Sequence, residues 1–113
     1  MNRGPWQKGV GMKPIFNLAQ LVADATTEFL AENKGMRVEG MAEYAILIQG
    51  KMGEGQLRGA LEKGELSEEK IKGAILNLLM CAAGRARARG STAISNEDIC
   101  LSIPDAKRLY PWG

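Results

Sequence analysis

Histidine is absent from this chain of 113 residues. Its absence removes the commonest general base near neutral pH and the commonest transition-metal ligand. Cysteine is scarce as well: Cys81 and Cys100 are the only two. Two thiols without a histidine cannot close a zinc site from one chain. Nothing in the sequence pairs a nucleophile with a base, so the composition speaks against an enzyme and against a bound metal or cofactor. Aromatic residues make up only 5%. No apolar run approaches the roughly 18 residues of a membrane span, so no membrane association is expected. Residues 1–13 carry basic side chains but no apolar core of a secretory signal, which predicts a cytoplasmic protein. In that compartment the two cysteines are expected to be free, buried and reduced.

What is present describes an ordinary globular domain. Hydrophobic residues account for 45% and charged residues for 25%, with a net charge of +2 too small to imply nucleic acid by itself. Six methionines suggest an adaptable core or contact surface. The chain is long enough for one domain with a modest core. Gly4, Pro5, Gly9 and Gly11 punctuate residues 1–13 without periodicity, so this stretch reads as a mobile arm whose one anchor is Trp6. The remainder, 14–113, reads as the helical domain.

Pro14 suits a first helical turn, where its missing N–H is not needed. Ile15, Leu18, Val22, Ala25 and Phe29 then recur at three- and four-residue steps, broadened by Leu21 and Leu30, and Asn33-Lys34-Gly35 closes the pattern. A helix is expected over Pro14–Asn33. Ala45-Ile46-Leu47-Ile48 is a continuous apolar run that a buried strand or a buried helix could supply. The flanking Glu39, Met41, Ala42 and Glu43 favour helix, and no partner strand is evident. A break is expected near Gly53, then a short helix from Glu54 to Lys63 ending at Gly64. Gly50-Lys51-Met52-Gly53 is not a phosphate loop, because no Ser or Thr follows the lysine and the glycines come after it.

Ser67 is an N-cap residue, and Glu68 and Glu69 occupy a first turn where carboxylates favour the helix dipole. Ile71, Ala74, Ile75, Leu78 and Ala82 form an inward stripe on a helix expected to run to Arg89. Leu76, Met80 and Ala83 lie elsewhere on the same helix, at about 100° per residue. One stripe suffices to join a core, so this second apolar surface predicts either burial on both sides or contact with a partner protein, most simply a second copy.

Arg85, Arg87 and Arg89 are the densest positive cluster, with Lys107 and Arg108 a smaller one. Arginine pairs bidentately with phosphate, which makes these residues the candidate nucleic-acid contacts. A helix scatters Arg87 away from its neighbours, however, and cations also belong in a last helical turn for the sake of the free carbonyls. Beyond Gly90, Ser95 and Asp98 have the spacing of a capping box, Ile99, Leu101 and Ile103 follow, and Pro104 is expected to stop the helix. From about Ala82 to Ile103 the chain resembles the end of a histone fold and the lid helices of some nucleotide-driven machines. The resemblance implies a helix–loop–helix arrangement. The histone central helix is longer, and the glycine-rich region before Ser67 does not match its first loop. Glu97 and Asp98 at the start of the last helix would repel a phosphate backbone in a helix-turn-helix reader.

Leu109, Tyr110 and Trp112 end the chain as an apolar cluster that docks on the core or on a partner. Taken together, the residues predict an all-α domain of four to five helices acting as a non-enzymatic regulator or adaptor. It would bind a partner protein, with a homodimer expected, through Leu76, Met80, Ala83, Leu109, Tyr110 and Trp112. Nucleic-acid binding through the arginines is the alternative.

Overall fold

The computed structural model describes residues 17–106. It is all-α: α1 (Leu18–Glu32), α2 (Gly40–Met52), α3 (Glu54–Glu62), α4 (Glu68–Ala88) and α5 (Asn96–Ala106). Two short strands, β1 (Arg37–Val38) and β2 (Ala93–Ile94), join α1 to α2 and α4 to α5. They pair in parallel, Arg37 opposite Ala93 and Val38 opposite Ile94. The Arg37 N–H donates to the Thr92 carbonyl at 2.8 Å and the Glu39 N–H to that of Ile94 at 3.0 Å. The molecule is therefore two helix–strand–helix units tied at their strands, with α3 between them. No helix among the described residues is long and apolar enough to cross a membrane.

Local chemistry sets most of the boundaries. Asn17 is extended, and its side-chain oxygen accepts from the Gln20 N–H at 3.1 Å, so α1 begins at Leu18 rather than at Pro14. Pro14 and Ile15 lie outside the described residues. The Ser67 hydroxyl accepts from the Lys70 N–H at 3.2 Å and starts α4 as expected. At the other end of α4, Gly90 adopts a positive φ of 77°. There the Ser91 N–H reaches the Ala86 carbonyl at 2.8 Å and the Gly90 N–H that of Arg87 at 2.9 Å, which satisfies two otherwise orphaned acceptors. The ambiguous run Ala45–Ile48 is helical, within α2.

Pro104 does not stop the last helix; α5 passes through it to Ala106. The missing N–H costs the bond to the Cys100 carbonyl, and Cys100 is exposed, so water can take that acceptor's place. The strand pair has no signature in the sequence either. Two residues have no periodicity to read, and a parallel partner lies far along the chain.

The core is one cluster. α1 contributes Leu18, Leu21, Val22, Ala25 and Phe29, and α2 contributes Ala42 and Ile46. α4 runs through the centre and buries Ile71, Ala74, Ile75, Leu78, Leu79, Ala82, Ala83 and Ala86. α1 packs on one side of it and α5 on another. Its all-round apolar character is thus mostly satisfied within the chain.

Gly50 is buried where α2 crosses α1. A Cβ there would stand 2.5 Å from Leu18 Cδ2, while nothing lies within 4 Å of one added at Gly59 in α3. Alanine in place of a helical glycine gains about 1 kcal/mol of propensity, but overpacking a filled core costs about 1–3 kcal/mol. Leu18, 2% exposed, has little room to move. Gly50→Ala should therefore destabilise the protein by about 1 kcal/mol, whereas Gly59→Ala should stabilise it by up to about 1 kcal/mol. Urea denaturation of the two variants tests the opposite signs.

Candidate protein-docking surface

The unsatisfied apolar surface lies on α2. Its inward residues Ala42, Ile46 and Gly50 are spaced by four, and large apolar side chains stand on the opposite side, where a surface helix ordinarily carries polar ones. Met41 is 62% exposed, Tyr44 55%, Ile48 38% and Met52 71%. At about 100° per residue these four share one stripe.

Two shallow grooves flank the stripe. One, of about 270 Å³, lies between α2 and α5 and is bordered by Met41, Tyr44, Ile48 and Gln49 on one wall and Asn96 and Cys100 on the other. Among the described residues no charged side chain lines it. The second, of about 310 Å³, lies between α1 and α2, with Ala19, Val22 and Ala23 facing Glu43, Tyr44 and Leu47. Tyr44 borders both and forms the ridge between them. The surface offers a phenol, a thiol, amides and soft apolar groups, which suit burial of another apolar surface.

The residues expected to make contacts fall differently. Met80 is 51% exposed on α4, Leu76 is half-buried against the core, and Ala83 is fully buried within its own chain. Ala83 is therefore core rather than contact surface, because α5 and α1 already cover the sides of α4 left over from its first stripe. Leu109, Tyr110, Trp112, Trp6, Lys107 and Arg108 lie outside the described residues. Cys81 and Cys100 are free, as expected, but Cys81 is half-buried and Cys100 exposed, which corrects the expectation that both are buried.

The three arginines diverge to separate partners. Arg85 reaches Asp105 at 3.7 Å. Arg87 donates to the Asn33 side-chain oxygen at 3.5 Å. Arg89 donates from Nε to Asp98 Oδ1 at 3.1 Å, and from Nη2 to Asp98 Oδ2 at 2.5 Å and to the Ala93 carbonyl at 3.2 Å. Asp98 also takes the Ser95 N–H at 2.9 Å and the Ser95 hydroxyl at 3.1 Å, and returns its own N–H to Ser95 Oγ at 3.3 Å. The expected capping box is present with a guanidinium clamped on top of it. The Arg89 bond holds the Asp98 carboxyl down at about 2, against burial and with help from Ser95. The cluster thus ties α4, β2 and α5 together instead of presenting one basic face. The α4–β2–α5 corner has the helix–loop–helix form that the resemblance implies.

The α2 stripe is not among the contact residues expected from the sequence, although its signal is there: once the run Ala45–Ile48 is helical, Met41, Tyr44, Ile48 and Met52 fall on one face by their three- and four-residue spacing. No protein-family model, curated protein or solved structure shows a significant match to this chain.

Proposed function

We propose that this protein is a non-enzymatic adaptor or regulator that docks a partner protein on the apolar face of α2. The observation that carries the reading is the stripe Met41, Tyr44, Ile48 and Met52, exposed beside a groove that no charged side chain lines among the described residues. Four large apolar side chains on one face of a small domain represent a standing cost in water, and contiguous patches of this kind mark interaction sites. Tyrosine and methionine are enriched at such interfaces and lose little by being covered. The engagement of Arg85, Arg87 and Arg89 with residues of their own chain supports the protein-docking reading over nucleic-acid binding.

The test is a quantitative comparison of proteins retained by the immobilised full chain and by Met41→Glu and Met52→Glu variants from cells that make it. Both substitutions fall on exposed positions, so circular dichroism should be unchanged. A partner lost with both variants and kept with Met80→Glu supports the reading. A partner kept by the α2 variants and lost with Met80→Glu would move the docking surface to α4.

A further inference from the structure

We infer that α3 is a strap that opens on its own, hinged at Gly53 and Gly64, while the other four helices stay folded. Its hold on the rest of the molecule is slight. Leu57 is its one buried residue. Its main packing is against α2, whereas α1, α2, α4 and α5 pack on one another and the β1–β2 pair ties the two helix–strand–helix units together. Among the described residues, the hydrogen bonds of α3 and its ion pair, Arg58 to Glu54 at 3.1 Å, all close within residues 50–66. None reaches α1, α4 or α5.

The helix is also weak by its own sequence. It has nine residues, and helices shorter than roughly 12–15 residues are marginal without tertiary support. Two of its residues are glycines, Gly55 and Gly59, and a Cβ added at either would meet nothing within 4 Å. Close packing therefore requires neither glycine, and both lower the helix propensity. Gly53 caps the helix without a side-chain hydrogen bond. Gly64, just past the other end, has a φ of 76° and marks the second hinge.

Opening disturbs little else. α2 keeps its seat on α1 and α5, and α4 keeps its own on the same two helices. Residues 53–67 then form a free loop, and the closure entropy of a loop grows only slowly with its length. What opening does is release apolar side chains. Leu57 leaves the core cluster, and Leu61 and Leu66, packed against that cluster, go with it. A short leucine-bearing segment becomes available while the fold persists, as in local openings drawn from the low-stability end of a structure.

Residue-resolved hydrogen exchange of the full chain, without urea and with urea below the unfolding transition, tests the inference. Amides of residues 57–63 should be protected at least roughly 100-fold less than those of residues 75–83 in α4. Their protection should hardly change with urea, because a local opening exposes little surface, while that of α4 should fall steeply. Gly59→Pro, which breaks a helix interior, should erase α3 protection and leave the other four helices in place. The variant starts from the open state, so α4 protection should fall by about the factor by which α3 was protected in the parent. Equal protection and equal urea dependence in α3 and α4 of the parent overturn the inference, since α3 would then open only with the whole. A larger fall in α4 protection in Gly59→Pro, or its complete loss, also overturns it, because α3 would then be needed to hold the rest together.

Discussion

Phe29→Ala should remove about 3–5 kcal/mol of stability, the cost of deleting a large aromatic side chain from a filled core. Phe29 is 1% exposed and is the bulkiest fully buried side chain among the described residues. It belongs to the cluster in which α1 meets α4, with Val22 and Ala25 beside it on the same stripe. Small domains hold about 5–15 kcal/mol in total, so the variant should be largely unfolded at 37 °C if the parent lies at the lower end of that range. Differential scanning calorimetry measures the loss. Phe29→Leu should recover more than half of it, because most of the volume returns. A loss below about 1 kcal/mol in Phe29→Ala would mean that α1 does not pack as described.

Asp98→Ala is the second large effect, at about 3 kcal/mol. Two contributions add. The substitution removes the reciprocal cap that starts α5, and it removes the acceptor for Arg89 and Ser95. Asp98 is 3% exposed, yet Arg89 is open to water on its outer side, so solvent screens part of the pair and keeps the loss below that of a fully buried one. The melting temperature should fall by roughly 10–20 °C.

Acid provides an independent check. The folded carboxyl titrates at about 2, below its ordinary value of 3.8. The unfolded chain therefore takes up the proton first as pH falls, and acid favours unfolding. The stability Asp98 contributes is fully present above about pH 5 and is lost as pH drops toward 2. In Asp98→Asn this part of the acid dependence should vanish, and the stabilities of parent and variant should converge near pH 2. Curves that stay parallel from pH 6 to pH 2 would deny Asp98 this role.

Much of the fold was legible because it is local. The α1 stripe, the Ser67 cap, the break at Gly53, the Gly64 and Gly90 ends and the Ser95–Asp98 box all follow from residues within a few positions of one another. Side-chain oxygens, glycine conformations and a period near 3.6 act over that range whatever the rest of the chain does. Pro104 marks the limit of such rules. One missing N–H near a helix end is a small loss that water at exposed Cys100 can offset, so the helix continues.

The surface belongs to tertiary structure. Periodicity alone assigned the surplus apolar face to α4, since Leu76, Met80 and Ala83 lie off its main stripe. In the folded chain α1 and α5 cover α4, and only Met80 of those three stays well exposed. The same packing buries Ala42, Ile46 and Gly50 of α2, with Ala45 and Leu47 partly covered against the core, and so leaves Met41, Tyr44, Ile48 and Met52 outside. The arginines follow the same logic: their spacing showed that they diverge, but Asp98, Asp105 and Asn33 become their partners only when distant elements meet. Sequence alone determined which segments are helical and where most of them end, because those choices are made over a turn or two. Which apolar face is covered, and which is left for another molecule, was decided by how many neighbours each helix acquires on folding, a quantity that no local pattern contains.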